Sequence, residues 1–208
     1  MTFARAMRIV IAGTGTEVGK TWTAVKLIER ARGRGMRAAA RKPAQSYSNE
    51  DRTTDADLLA AATGETAREV CPAHRWYPVP MAPPMAAEAL ERTRIELHEL
   101  LEETRWCEDA DLTLIETAGG LCSPIAHDAD NLMLIEQLAP TKVVLVADAG
   151  LGTLNSVRLC LRALGAMPTI VFLNRFDEQS ELHRRNREWL VREGVATCVD
   201  IESIVEEL

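Results

Sequence analysis

Residues 7–34 carry the strongest constraint in the chain. An apolar run from Met7 to Ala12 leads into GTGTEVGKT at Gly13 to Thr21, and a helical pattern follows from Thr21 to Arg34. A buried strand turning through glycines into a Lys-Thr pair and a helix makes a cradle for phosphate. Successive backbone N–H groups and the positive end of the helix face the anion, the lysine reaches its outer oxygens, and the neighbouring hydroxyl suits Mg2+. The strict spacing G-x-x-x-x-G-K-[ST] is not met, because Thr14 stands five positions before Gly19, so a plain tight turn is the other reading of the loop.

The rest of the chain repeats the strand-then-helix pattern. Short apolar runs at Met36 to Ala40, Leu112 to Ile115, Val143 to Ala147, Thr169 to Leu173 and Val195 to Val199 read as buried strands. Helical spacing falls between them, at Asp55 to Thr63, Ile95 to Trp106, Leu132 to Leu138, Leu154 to Leu164 and Glu181 to Arg192. This alternation predicts one α/β domain over residues 1–208, a three-layer P-loop NTPase-type fold with a central, mostly parallel sheet flanked by helices. Ligands in such sheets sit beyond the carboxyl ends of the strands, so functional residues are sought just after each apolar run.

Charge and composition exclude several classes. With 24 Lys plus Arg against 31 Asp plus Glu, the formal net charge is −7, which disfavours nucleic acid as a partner. No apolar stretch approaches the roughly 18 residues of a membrane span, and the first residues lack the pattern of a secretory signal. A cytoplasmic protein is the expectation. The five cysteines are scattered and never form a Cys-x-x-Cys pair, so they read as reduced, small core residues. The four histidines show no metal-ligand spacing and read as surface or loop residues.

Four segments taken in order, GTGTEVGK at Gly13 to Lys20, RKPAQS at Arg41 to Ser46, ETAGGLCSPI at Glu116 to Ile125 and GLGTLN at Gly150 to Asn155, resemble the dethiobiotin synthetases. ParA- and MinD-like ATPases carry a further lysine where this chain has Gly15. The resemblance implies a homodimeric, ATP- and Mg2+-dependent ligase that carboxylates diaminopelargonic acid with CO2 and closes a cyclic urea. It spans about Arg8 to Asn174.

The resemblance also implies roles for individual residues. Gly15, Glu17, Val18, Gly19, Lys20, Thr21, Trp22, Glu116, Gly119 and Asn174 would hold the nucleotide, with the Asn174 carboxamide facing the base. Lys20, Lys42 and Thr16 would act on the reacting carbamate and phosphate, and Thr21, Asp55 and Glu116 would bind Mg2+. Thr16, Lys42, Ser46 and Gly119 would contact the reacting end of the substrate. Leu151, Gly152, Thr153 and Asn155 of the second subunit would receive its carboxylate tail, with Ser156 standing where the family often has histidine.

Other readings of these residues stay open beside the implied ones. Lys42 also reads as a strand-end lysine in solvent, Glu17 as a solvent-facing carboxylate, and Asp55 or Asp57 as a helix cap. After Asn174 the resemblance fades. The family's Gly-x-Ile-Pro-like turn is replaced by Val199-Asp200-Ile201-Glu202, which leaves base preference open. A related P-loop ligase with another substrate, or a nucleotide-binding regulatory module, remains an alternative.

Overall fold

The computed structural model describes residues 6–208. In chain order the elements are β1 (Met7–Gly13), α1 (Lys20–Gly33), β2 (Ala38–Arg41), β3 (Gln45–Ser46), α2 (Asp55–Thr63), α3 (Ala67–Val70), β4 (Trp76–Tyr77), α4 (Pro83–Ala89) and α5 (Leu97–Glu103). They continue with β5 (Leu112–Glu116), α6 (Asn131–Leu138), β6 (Lys142–Asp148), α7 (Thr153–Leu164), β7 (Thr169–Asn174), α8 (Glu181–Arg192), β8 (Thr197–Cys198) and α9 (Ile201–Glu207).

Six strands form one sheet in the order β2-β5-β1-β6-β7-β8, and every pairing is parallel. Because strand side chains alternate between faces, the continuous apolar runs feed two cores at once. Ile9, Ile11, Leu112, Leu114, Val144, Val146, Ile170 and Phe172 point to the face covered by α1, α2 and α9. Val10, Ile115, Val143, Leu145, Val171 and Leu173 point to the face covered by α4 to α8. The six expected strands are all present, and the expected α/β layering with them.

The differences are local. The expected helix from Ile95 to Trp106 is shorter, because Glu96 and Glu99 form a capping box that starts α5 at Leu97 while Ile95 is buried in the preceding loop. A small parallel pair, β3 with β4, interrupts the chain after β2. The Pro-rich stretch ends in α4, whose first turn accepts Pro83 and Pro84 because those positions need no donated N–H. His127 lies in a loop, as expected, with its ring packed against Ile95, whereas Cys122 is exposed rather than in the core.

Candidate active site

The carboxyl ends of β1, β2 and β5 open into a cleft of about 810 Å3. Its walls include Thr16, Glu17, Gly19, Lys20, Thr21, Trp22, Lys42, Ser46, Asp55, Glu116 and Gly119, so residues from four separate segments share one space.

The phosphate loop is held by close backbone approach. Gly19 caps α1 with φ 97°, and a Cβ there would lie 2.0 Å from Asn174 Nδ2. Gly120 presses against the same loop, its missing Cβ falling 3.3 Å from Gly15 Cα. The loop after β5 is itself fixed by Asn131, which donates to the carbonyls of Ala118 and Gly120 at 2.6 and 2.8 Å. Lys20 folds back to donate to the Gly15 carbonyl at 3.0 Å.

Lys42 stands at the end of β2, where its backbone N–H bonds the Val70 carbonyl at 2.8 Å. The segment after it is tied to α2 through Gln45, which accepts from Ala56 N and donates to Thr54 Oγ1. The Lys42 side chain is therefore directed inward, 2% exposed, rather than into solvent. Its Nζ lies 2.6 Å from Asp55 Oδ2 and 2.7 Å from Glu116 Oε1.

Thr21 completes the floor, its hydroxyl lying 2.8 Å from Asp55 Oδ1 and 2.9 Å from Glu116 Oε1. One hydroxyl hydrogen cannot serve both carboxylates. The second Glu116 oxygen, Oε2, is buried with no hydrogen-bond partner among the described residues. Among those residues no group of three or more His, Cys, Asp or Glu is gathered for a metal. What is present, two carboxylates and a hydroxyl with an unsatisfied buried oxygen, is a donor set of hard oxygens that fits Mg2+ completed by phosphate and water.

The charges are mutually dependent. Burial opposes the Lys42 charge, but Asp55 and Glu116 outweigh it and raise its pKa above the usual lysine range. Lys20 has no such direct ion pair among the described residues, and burial, then repulsion from nearby Lys42, lowers it to about 8. Burial pushes Glu116 up more than Lys42 pulls it down. Asp55 goes the other way, because Lys42 and the Thr21 hydrogen bond overcome its burial.

Helix capping separates the two candidate aspartates. Thr54 is the N-cap of α2, and Asp57 closes a capping box by accepting from the Thr54 N–H at 2.9 Å. Asp57 is thus spent on the helix end, and Asp55 is free to face Lys42 and Thr21. Ser46 Oγ is buried at the cleft without a partner among the described residues. Val18 sends its side chain into the core, and only its backbone serves the loop.

Asn174 lies beside the cleft, in a second depression of about 560 Å3 with Gly19, Trp22, Phe172, Phe176 and Asp200. Its Nδ2 donates to the Val18 carbonyl at 2.9 Å, and Trp22 stacks on Phe172 with ring planes 6° apart. Leu151, Gly152, Thr153 and Asn155 do not line the cleft. Gly152 caps α7, and Thr153 Oγ1 is buried without a partner among the described residues. Sequence reading missed Arg175, which lines both depressions and bonds the Glu17 carbonyl. An arginine after a strand-end asparagine was the available signal.

An AAA domain family model matches residues 7–196. The ATP-dependent dethiobiotin synthetase BioD of Caulobacter vibrioides is 39% identical over 165 residues, 76% of this chain and 74% of that one. The chain belongs to the dethiobiotin synthetase family. The Aquifex aeolicus dethiobiotin synthetase is 32% identical over 184 residues, covering 86% of this chain and 81% of its own. The Streptomyces avermitilis enzyme is 39% identical over 159 residues, 75% of this chain and 65% of that one. Membership makes this protein an ATP-dependent ligase.

Solved structures show the fold alone. The signal recognition particle receptor FtsY from Elizabethkingia anophelis superposes with a TM-score of 0.57 at 16% identity, over 96% of this chain and 61% of that one. A Borrelia burgdorferi protein described as a plasmid partition protein gives 0.58 at 14% identity over 98% of both chains. Both likenesses concern the fold, and the family assignment comes from the sequence relatives. No helix among the described residues is long and apolar enough to cross a membrane.

Proposed function

We propose that this protein makes dethiobiotin from diaminopelargonic acid, CO2 and ATP; its sequence relatives are named ATP-dependent dethiobiotin synthetases. The observation that carries the reading is the meeting of Lys20 and Lys42, from separate loops, in the cleft that also holds Thr21, Asp55 and Glu116. One substrate amine adds to CO2 and releases a proton, giving a carbamate. A carbamate oxygen attacks the γ-phosphorus of ATP and ADP leaves. The second amine then attacks the carbonyl carbon of the mixed anhydride, expelling phosphate and closing the urea.

Negative charge gathers near one point throughout this sequence, and cations fixed beside it stabilise it. Lys20 serves the β- and γ-phosphates. Lys42 serves the carbamate and the transferring phosphoryl group. Ser46 and Thr16 offer hydroxyls to the carbamate or an amine, and Glu17 offers a carboxylate to the cationic diamine. Thr21, Asp55 and Glu116 would hold Mg2+, which neutralises phosphate charge when bound. Asn174 and Trp22 would border the base.

In this reading the working unit is a homodimer in the cytoplasm. The substrate tail reaches Leu151, Gly152, Thr153 and Asn155 of a second copy. The 93% exposure of Leu151 and the unpartnered buried Thr153 hydroxyl support that arrangement.

Purified protein given diaminopelargonate, bicarbonate, ATP and Mg2+ is expected to yield dethiobiotin, ADP and phosphate in equal amounts, read by mass spectrometry and a phosphate assay. No product from folded dimer with any nucleoside triphosphate would reject the proposal.

The two aspartates give a second test. Asp55→Ala is expected to raise the Mg2+ needed for half-maximal rate by about tenfold or more. Asp57→Ala is expected to leave that titration unchanged and cost about 1 kcal/mol in urea unfolding, through loss of the cap. A matching Mg2+ shift in both variants would remove Asp55 from the metal site.

A further inference from the structure

Two residues beside the cleft adopt a backbone conformation that side chains other than glycine's disfavour: Glu17 at φ 59° and Arg175 at φ 56°. They are joined to each other. Arg175 Nη2 donates to the Glu17 carbonyl at 2.8 Å, and Arg175 Nη1 pairs with Asp148 Oδ2 at 3.0 Å. The other oxygen, Asp148 Oδ1, accepts from Gly150 N at 2.8 Å, so the aspartate is itself fixed at the end of β6. The preceding residue, Asn174, grips the next carbonyl, that of Val18.

Two successive carbonyls of the phosphate loop are thereby drawn to the β7 side. A trans peptide is planar, with C=O and N–H opposed, so drawing back the Glu17 and Val18 carbonyls turns the Val18 and Gly19 N–H groups the other way. Those are loop donors that a phosphate would use. Stability does not account for the clasp. Arg175 and Asp148 side chains are 60% and 49% exposed, and an exposed ion pair adds little to folding, whereas a non-glycine residue at positive φ costs free energy.

We propose that Arg175 is a positioning residue for the triphosphate, orienting the Val18 and Gly19 amides through the Glu17 carbonyl while Asp148 holds its guanidinium. The inference rests on the reading of the cleft as a nucleotide site. Asn174 acts on the Val18 peptide and Arg175 on the Glu17 peptide, so the two do not substitute for each other.

The test is isothermal titration of the wild type, Arg175→Ala, Arg175→Lys and Asp148→Asn with a non-hydrolysable ATP analogue and Mg2+, beside steady-state kinetics and thermal unfolding. Wild type that fails to bind the analogue would refute the nucleotide reading and the role of Arg175 together. With wild type binding, Arg175→Ala is expected to raise Kd about tenfold, the effect of losing a charged hydrogen bond. The loss should fall on KM for ATP rather than on kcat, with the unfolding midpoint unchanged. Arg175→Lys, able to keep one of the two contacts, and Asp148→Asn should fall between. A Kd for Arg175→Ala within twofold of wild type would overturn the proposal. So would a kcat loss at constant KM, or a Kd loss accompanied by a lower unfolding midpoint that lysine does not restore.

Discussion

Lys42→Ala is expected to lower kcat by roughly 10²- to 10³-fold, the usual effect of removing one fixed charge-stabilising donor. Lys42 has little access to solvent, and its ammonium lies within ion-pair distance of both Asp55 and Glu116, so no water takes over its position easily. Nucleotide binding should persist, because Lys20 and the loop amides are untouched. Removing one partner of a buried pair ordinarily destabilises by about 3–5 kcal/mol. Rapid-quench kinetics with equilibrium nucleotide binding on the same preparation separates the two effects. Turnover within threefold of wild type would exclude Lys42 from the chemistry.

Gly19→Ala is expected to abolish measurable nucleotide binding and to destabilise the fold by roughly 2–5 kcal/mol, summing a left-handed alanine and an overpacked contact. The added methyl would lie 2.0 Å from Asn174 Nδ2, at φ 97°. Asn174 cannot simply swing away, because that same nitrogen holds the Val18 carbonyl. Either the loop opens and loses its aimed amides, or the asparagine leaves the Val18 carbonyl unpaired. Guanidinium unfolding and nucleotide titration check both parts. A variant that binds nucleotide normally would show that the loop is looser than the packing around Gly19 implies. Gly33→Ala is the control, since nothing lies within 4 Å of the site of its Cβ.

One part of the site was legible from the order strand, glycine loop, Lys-Thr and helix, although the strict phosphate-loop spacing is not met. A lysine and threonine directly after a glycine loop have their place set by the first turn of α1, so Lys20 and Thr21 could be assigned without any tertiary contact. Glu116 was legible because an acidic residue ending a buried strand has only the crevice to face. The same local rules did not separate Asp55 from Asp57, which both suit a helix start. The Thr54 capping box, a local contact between residues three apart, commits Asp57 to the helix end, and the docking of α2 brings Asp55 to Lys42 and Thr21. The inward course of Lys42 was open for the same reason, since β2 is an edge strand whose end turns inward only because Val70 and Gln45 hold it there.

The chain's own pattern of apolar runs therefore determined the layers and the parallel sheet, because burial on both faces of a strand follows from local composition. The phosphate loop followed from covalent proximity. Tertiary structure alone decided which charges became partners. Asp55, Glu116, Lys42 and Thr21 come from separate segments, and their meeting depends on strand order and on β5 lying between β2 and β1. The Arg175 clasp belongs with these, since its donor and acceptor are 158 positions apart. Distances of that kind are set by packing and leave no periodicity for a sequence reading to find.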